Sequence, residues 1–278
     1  MSSEGSSVSR VDKIPFTKAS ACGNDFLLLE GGYASNDIKA LTRRLCDRHN
    51  GVGADGVEWL FADAKTDAET DVKTDVMARL INADGSEAEI SGNGTRCVAA
   101  EICSRTGKTE IVVRTGAGPK TCRLTARQGS TFEFETEMGE PEVGDQIPIE
   151  AGSVRVVGTK ASMGNPHFVI FVENFPDGWQ RQAALIAAQP HFPLGTNVEY
   201  VVIRGGNEIE IRLFERGVGE TQSSGTGSCA SAVAAIASGR VVSPVKVIAP
   251  GGPQTVRWEN EVYLRGPATL ICRGEFFI

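Results

Sequence analysis

The 278-residue chain carries 28 Lys and Arg against 35 Asp and Glu, a formal charge of −7, and 41% of it is hydrophobic. That apolar share excludes general disorder, and the length fits about two domains. A net negative chain is not drawn to polyanions, which argues against dedicated binding to nucleic acid or an anionic membrane, and no apolar run approaches the ~20 residues of a bilayer span.

In chain order, Met1 to Lys13 (MSSEGSSVSRVDK) has no apolar stretch of the secretory kind and reads as a flexible polar tail. Asn36–Arg48 puts Ile38, Leu41 and Leu45 on one helical face, with Asn36 as the expected cap. Gly51–Gly56 (GVGADG) matches the spacing of a dinucleotide loop. A helix precedes it and a strand, Val57–Phe61, follows, which is the reverse of that motif's context. A helix is expected over Gly92–Arg105. Strands are expected over Glu110–Arg114, Thr131–Glu137 and His167–Glu173, then a helix over Trp179–Gln189. Strands Val198–Ile203 and Glu208–Phe214 follow, then a helix over Gly225–Ser238 and strands Val245–Ala249 and Glu261–Arg265. Many strands and few helices imply an α/β (α+β) fold.

The two central helices open alike: SGNGTRCVAAEICSR from Ser91 and SGTGSCASAVAAIAS from Ser224. A second echo sets Cys22-Gly-Asn-Asp-Phe26 against Met163-Gly-Asn-Pro-His-Phe168, in the same order. This internal duplication predicts two pseudo-symmetric domains, 14–147 and 148–278, with the final strands free to return to the first. The helix after Ser224 is apolar almost all round, so it is expected to lie buried inside a curved sheet.

Gly-x-Gly at a helix start leaves free N–H groups and a positive dipole end open to an anion. Two such helices can hold one carboxylate. The seven cysteines are odd in number and scattered without a C-x-x-C, which suits reduced thiols in a cytoplasm. The three histidines form no ligand cluster, so no metal is expected. Asn24, Asn82, Asn165 and Asn197 sit in turn-rich segments, where Asn serves either the turn or a ligand. Glu215-Arg216 closes a strand and could hold a zwitterion or pair internally. His167 opens a strand after Asn165-Pro166.

Together these segments resemble the diaminopimelate epimerase family, from about Phe16 to Ile278. The resemblance rests on Gly23-Asn-Asp-Phe26, Asp47–Asp55, Asn82-Ala-Asp-Gly-Ser-Glu87, Gly92-Asn-Gly94 with Arg96-Cys97, Gly164-Asn-Pro-His167, Asn197-Val198 and Glu215–Thr221. It implies two domains, each a curved mixed sheet around a central helix, with the active site between them. It also implies inversion of an amino-acid α-carbon, LL- to meso-2,6-diaminopimelate, without pyridoxal phosphate, metal or other cofactor. Inversion needs a base on one face of Cα and an acid on the other. Transferred by position, Asn24, Asn82, Asn165, Asn197, Glu215 and Arg216 contact the substrate, and Gly92, Asn93, Gly225 and Thr226 cradle its carboxylate. The family's two catalytic cysteine positions are Ser91 and Ser224 here, and His167 and Glu215 stand close to them as helpers. Cys97 and Cys229 match other cysteines of the family, and Cys22 is a further thiol near the expected ligand. Partners beyond the amino acid reduce to a second copy of the chain, a homodimer. The same residues also fit a ligand-binding homologue without turnover, a Cys-to-Ser variant, or an isomerase of this fold with another substrate.

Overall fold

The computed structural model describes residues 13–34, 37–62, 72–152 and 154–278. The expected polar tail lies outside them up to its last residue, Lys13, which opens the first strand. The first half contains β1 (Lys13–Ala21), β2 (Asn24–Glu30), α1 (Ile38–Cys46), β3 (Gly56–Phe61), β4 (Val76–Asn82) and β5 (Glu87–Ala88). It continues through α2 (Gly92–Thr106), β6 (Glu110–Thr115), β7 (Gly118–Gln128), β8 (Thr131–Gly139) and β9 (Glu142–Ala151). The second half contains β10 (Val154–Ser162), β11 (Pro166–Phe171), α3 (Trp179–Ala187), β12 (Asn197–Gly205), β13 (Glu208–Glu215) and β14 (Gly219–Thr221). It ends with α4 (Gly225–Ala237), β15 (Val245–Ala249), β16 (Gly252–Trp258) and β17 (Val262–Phe277).

Strand pairing repeats between the halves. β1–β2 and β10–β11 are antiparallel; β2–β3 and β11–β12 are parallel. β3–β4 and β12–β13 are antiparallel; β4–β6 and β13–β15 are parallel. The parallel pairs need crossovers, and α1, α2, α3 and α4 supply them. β17 runs beside β16 and β8, then beside β1, so β1, β2, β3, β4, β6, β7, β8 and β17 close into a barrel around α2. β9 pairs with β10 on the other side.

Each helix boundary has a local cause. Asp37, not the expected Asn36, caps α1: its side chain accepts from the Ala40 N–H at 2.9 Å, and Asn36 lies outside the described residues. α2 ends at Gly107, which takes φ 74° and returns its N–H to Cys103 O at 2.8 Å. The Gly51–Gly56 segment runs from α1 into β3, the helix-to-strand order that its sequence context suggested.

Four apolar clusters follow from this arrangement. One surrounds α2 and one surrounds α4, inside the curved sheet. The other two lie on the outer face, under α1 and under α3. β3 and β12 are therefore covered on both faces. Trp59 on β3 donates to Thr42 Oγ1 of α1 at 3.1 Å, and Tyr200 on β12 makes the matching hydroxyl bond to Gln182 of α3. Fully burying side chains such as Leu27, Phe134 or Ile211 stabilises by about 1.5–3 kcal/mol each. Among the described residues, no helix is long and apolar enough to cross a membrane.

Candidate active site

The duplication brings the first turns of α2 and α4 face to face. A side chain built on Gly92 would begin 3.8 Å from the Gly225 Cα, and one on Gly225 would begin 3.8 Å from the Gly92 Cα. Ser91 caps α2 through Oγ, which accepts from the Gly94 N–H at 3.1 Å; Ser224 caps α4 in the same way from Gly227 at 3.3 Å. Thr95 and Ser228 donate to the carbonyls of Ser91 and Ser224. The N–H groups of Gly92, Asn93, Gly225 and Thr226 lie ahead of the helical ladder, which begins only with the fourth residue. Four N–H groups and two dipole ends thus converge where the halves meet, which suits one carboxylate.

The asparagines of the two Gly-Asn turns hold these helix ends. Asn93 Nδ2 donates to Asn24 Oδ1 at 2.7 Å, and Asn165 Nδ2 to Thr226 Oγ1 at 3.3 Å. Asn93 also reaches across the halves to Ser223 Oγ at 3.3 Å. Behind it, the fully buried Arg96 bonds Asn93 Oδ1 and reaches Pro267 O at 3.5 Å and Cys22 Sγ at 3.8 Å. No carboxylate is among these partners, so the guanidinium adds positive potential under the cradle. Asn24 is braced in turn by Asp55, which accepts from Asn24 Nδ2 at 3.2 Å, the Asp25 N–H at 3.1 Å and Arg48 at 2.8 Å.

His167 is buried with both ring nitrogens engaged: Nδ1 lies 2.7 Å from Glu199 Oε1 and Nε2 lies 3.0 Å from Asn165 Oδ1. This links a core carboxyl on β12 to the start of α4. Burial pushes Glu199 up; His167 opposes the shift and the Glu215 charge adds to it. In the first half, Phe26 holds the register position of His167, opposite Gly56 as His167 is opposite Asn197. Glu58 holds that of Glu199.

Burial alone pushes Glu58 up from the ordinary carboxyl value of 4.5 to about 8. The native state then holds a proton that the unfolded chain releases, so stability is fully present below pH 4.5 and is lost as pH rises towards 8. Urea unfolding at pH 5 and pH 9 is expected to show this loss, at most about 5 kcal/mol, and Glu58→Gln should remove it. An equal pH loss in the variant would assign the effect to another group.

Asn197 accepts from the Arg216 N–H at 2.9 Å and donates to Pro166 O at 3.0 Å. The exposed Arg216 guanidinium donates to Leu194 O at 2.9 Å. Asn82 and Glu215 end the equivalent strands β4 and β13; Asn82 donates to Ser86 Oγ at 3.0 Å within its own turn. A cavity of about 630 Å³ opens beside Asn165 and His167, with Lys160, His191, Phe192 and Gly195 also lining it.

All seven cysteines are free. Cys97 and Cys229 are fully buried; burial raises the first and pushes the second up to about 12, so both thiols stay protonated near neutrality. Cys22 sits in the β1–β2 turn at φ 48°, and burial raises it against the pull of Arg96. Among the described residues, no group of three or more His, Cys, Asp and Glu is placed to hold a metal. Sequence reasoning missed Glu58, Glu199, Ser223 and the bracing by Asp55. The one available signal was a glutamate inside each of two otherwise apolar strands, VEWLF and VEYVVI.

A sequence profile of the family Diaminopimelate epimerase matches residues 16–143 and 159–271. The diaminopimelate epimerases of Desulforudis audaxviator and Pelotomaculum thermopropionicum are each 37% identical over 282 residues, covering 94% of this chain and 98% of the relative. Among solved structures, a PhzF-family phenazine biosynthesis protein of Bacillus anthracis superposes with a TM-score of 0.72 at 14% identity, covering 96% of this chain and 100% of that one. A hydroxyproline epimerase of Agrobacterium vitis superposes at 0.67 with 15% identity, covering 95% and 90%. At such identities the likeness shows the fold alone.

Proposed function

This chain belongs to the diaminopimelate epimerase family, and from that premise we propose that it interconverts LL- and meso-2,6-diaminopimelate by proton transfer at the α-carbon, with Ser91 and Ser224 as the acid/base pair. The observation that carries this reading is the facing pair of helix N-termini, each capped by a serine from a different half. The α-carboxylate rests on the N–H groups of Gly92, Asn93, Gly225 and Thr226. One serine, as alkoxide, takes the α-proton; the other gives its hydroxyl proton to the opposite face of Cα. In the reverse direction the roles exchange. Charge moving from Cα into the carboxylate meets the two dipole ends and the buried Arg96, which favours the transition state over the bound substrate.

Asn24 and Asn165 hold the helix starts and face the substrate's reacting end. Asn82, Asn197 and Arg216 take its second amino-acid end. His167 and Glu215 assist the hydroxyls, which are weak acids without a partner base. The reaction runs without pyridoxal phosphate or metal. The division into halves near Ile147 gives each half one serine. Free cysteines suit work in a reducing cytoplasm. Dimerisation, common among such enzymes, belongs to the same reading and is checked by light scattering.

The test follows α-deuterium incorporation and meso product together, with LL-diaminopimelate in D2O. Both signals are expected above a no-protein blank, and Ser91→Ala should abolish them while substrate binding stays measurable by calorimetry. Unchanged exchange in Ser91→Ala would remove that serine from the chemistry. Binding without exchange in the unaltered protein would leave a pocket that holds the substrate without turning it over.

A further inference from the structure

Behind each capping serine stands a buried glutamate. The point where a side chain on Gly94 would begin lies 2.1 Å from Glu58 Oε1 and 3.2 Å from Ser91 Cβ. The corresponding point on Gly227 lies 3.0 Å from Glu199 Oε1 and 3.2 Å from Ser224 Cβ. Both glutamates are nearly inaccessible, at 3% and 1% exposure, and both occupy the same register of duplicated strands. A carboxyl group is expensive to bury, and an apolar residue would serve packing better. Its recurrence beneath both serines, at the third residue of both helices, ties it to the serines rather than to one local packing problem.

We infer that Glu58 and Glu199 form a second, buried acid pair that holds the protons of the two capping serines, Glu58 serving Ser91 alone and Glu199 serving Ser224 together with His167. They are positioning residues, since neither touches the substrate, and the inference rests on the reading of Ser91 and Ser224 given above. In one direction, the Ser91 hydroxyl passes its proton to the Glu58 carboxylate; the resulting alkoxide takes the α-proton, and Glu58 ends as the acid. On the opposite face, the Ser224 hydroxyl gives its proton to Cα, and the alkoxide left behind recovers one from the His167–Glu199 pair. The reverse reaction restores both groups.

The surroundings of each carboxyl suit this use. The Glu58 charge is felt by the buried thiol of Cys97 on α2, and the register neighbours of Glu58, Leu28 and Leu80, are apolar. With burial pushing Glu58 up to about 8, its proton-accepting form grows in as pH rises through that value. Glu199 is faced by His167 of β11, the Glu215 charge at the end of β13, and the start of α4. Half of the duplicated pair therefore has a bare carboxyl and half has a carboxyl–imidazole couple, with Phe26 in place of His167.

The test uses a thiol as reporter. In a Cys272→Ser background, which removes the exposed thiol, Ser91→Cys and Ser224→Cys are made separately. The pH midpoint of iodoacetamide alkylation is then read without substrate. A neighbouring carboxylate opposes thiolate formation, so Glu58→Gln is expected to lower the midpoint at position 91 by about one pH unit and leave position 224 in place. Glu199→Gln should move position 224 and spare position 91. In the protein with both serines, Glu58→Gln should slow α-deuterium exchange, the opposite direction from its effect on the reporter. Should Glu58→Gln fail to fold, Glu58→Leu, matching its neighbours Leu28 and Leu80, carries the same expected shift. Midpoints that stay put, or that move equally at both positions, would overturn the inference. Absence of exchange in the unaltered protein would overturn the roles of Ser91 and Ser224, while the alkylation midpoints would still decide the pairing.

Discussion

Replacing both capping serines (Ser91→Cys with Ser224→Cys) is expected to raise α-proton exchange on LL-diaminopimelate about a hundredfold or more. The reason is acidity: a thiol near pKa 8.5 forms its anion readily near neutrality, whereas a hydroxyl does so only with a strong partner base. The helix starts that hold each side chain also favour an anion there. The replacements are small. Ser91 is half-buried and Ser224 is 7% exposed, so each site must admit one larger atom. The cap bonds to Gly94 and Gly227 weaken, because sulfur accepts poorly, and the stability cost is about 1 kcal/mol per helix. Faster exchange with a slightly lower Tm is the expected pair of results. The measurement is deuterium incorporation and meso product over time, at matched protein concentration. No gain in exchange, with the fold intact, would mean that hydroxyl acidity does not limit this site.

The second large effect is structural. Gly251 lies in the β15–β16 turn and presses on the β1–β2 turn of the other half. A Cβ there would begin 2.0 Å from the Cys22 carbonyl oxygen and 2.6 Å from its carbon. On the other side, Gly251 N–H donates to Gln222 O at 2.7 Å, next to Ser223, the partner of Asn93. The obstacles are backbone atoms, which no rotamer change can clear. Gly251→Ala is therefore expected to destabilise by about 3 kcal/mol or more in urea unfolding. It should also weaken substrate binding, because the two turns set how closely the helix starts face each other. Gly32→Ala is the control: nothing lies within 4 Å of its Cβ, and a change within about 0.5 kcal/mol is expected. Equal losses at the two positions would refute the role given to the contact between turns.

The starts of α2 and α4, the repeated Ser-Gly-x-Gly turns and the burial of α4 are legible along the chain, because caps and all-round apolar helices leave local marks. Glycines, serines and asparagines mark turns by their own conformational and hydrogen-bonding habits, and the duplication sets the two Gly-Asn turns and the two helix starts in the same order in each half; that Asn24, Asn93, Asn165 and Thr226 share one site is what the family resemblance implies. Several strands left no such mark. β7 (GPKTCRLTARQ) is largely exposed and mixed in charge, and β2 (NDFLLLE) is an apolar run that periodicity cannot separate from a helix. Helix α1 was legible, but its cap was one residue off, since Asn36 and Asp37 are equally suited by type and only geometry chooses.

Which polar residues are buried together is settled by the packing of distant segments. Glu58 and Glu199 look like the outward residues of ordinary strands, yet α1 and α3 cover one face of β3 and β12 while α2 and α4 cover the other. A strand covered on both faces has no solvent side, so alternation carries no information about it. The substitution of Phe26 for His167 is likewise a matter of register, set by hydrogen bonds to β3 and β12. Those bonds join neighbouring strands backbone to backbone, and residue type along the chain does not record them.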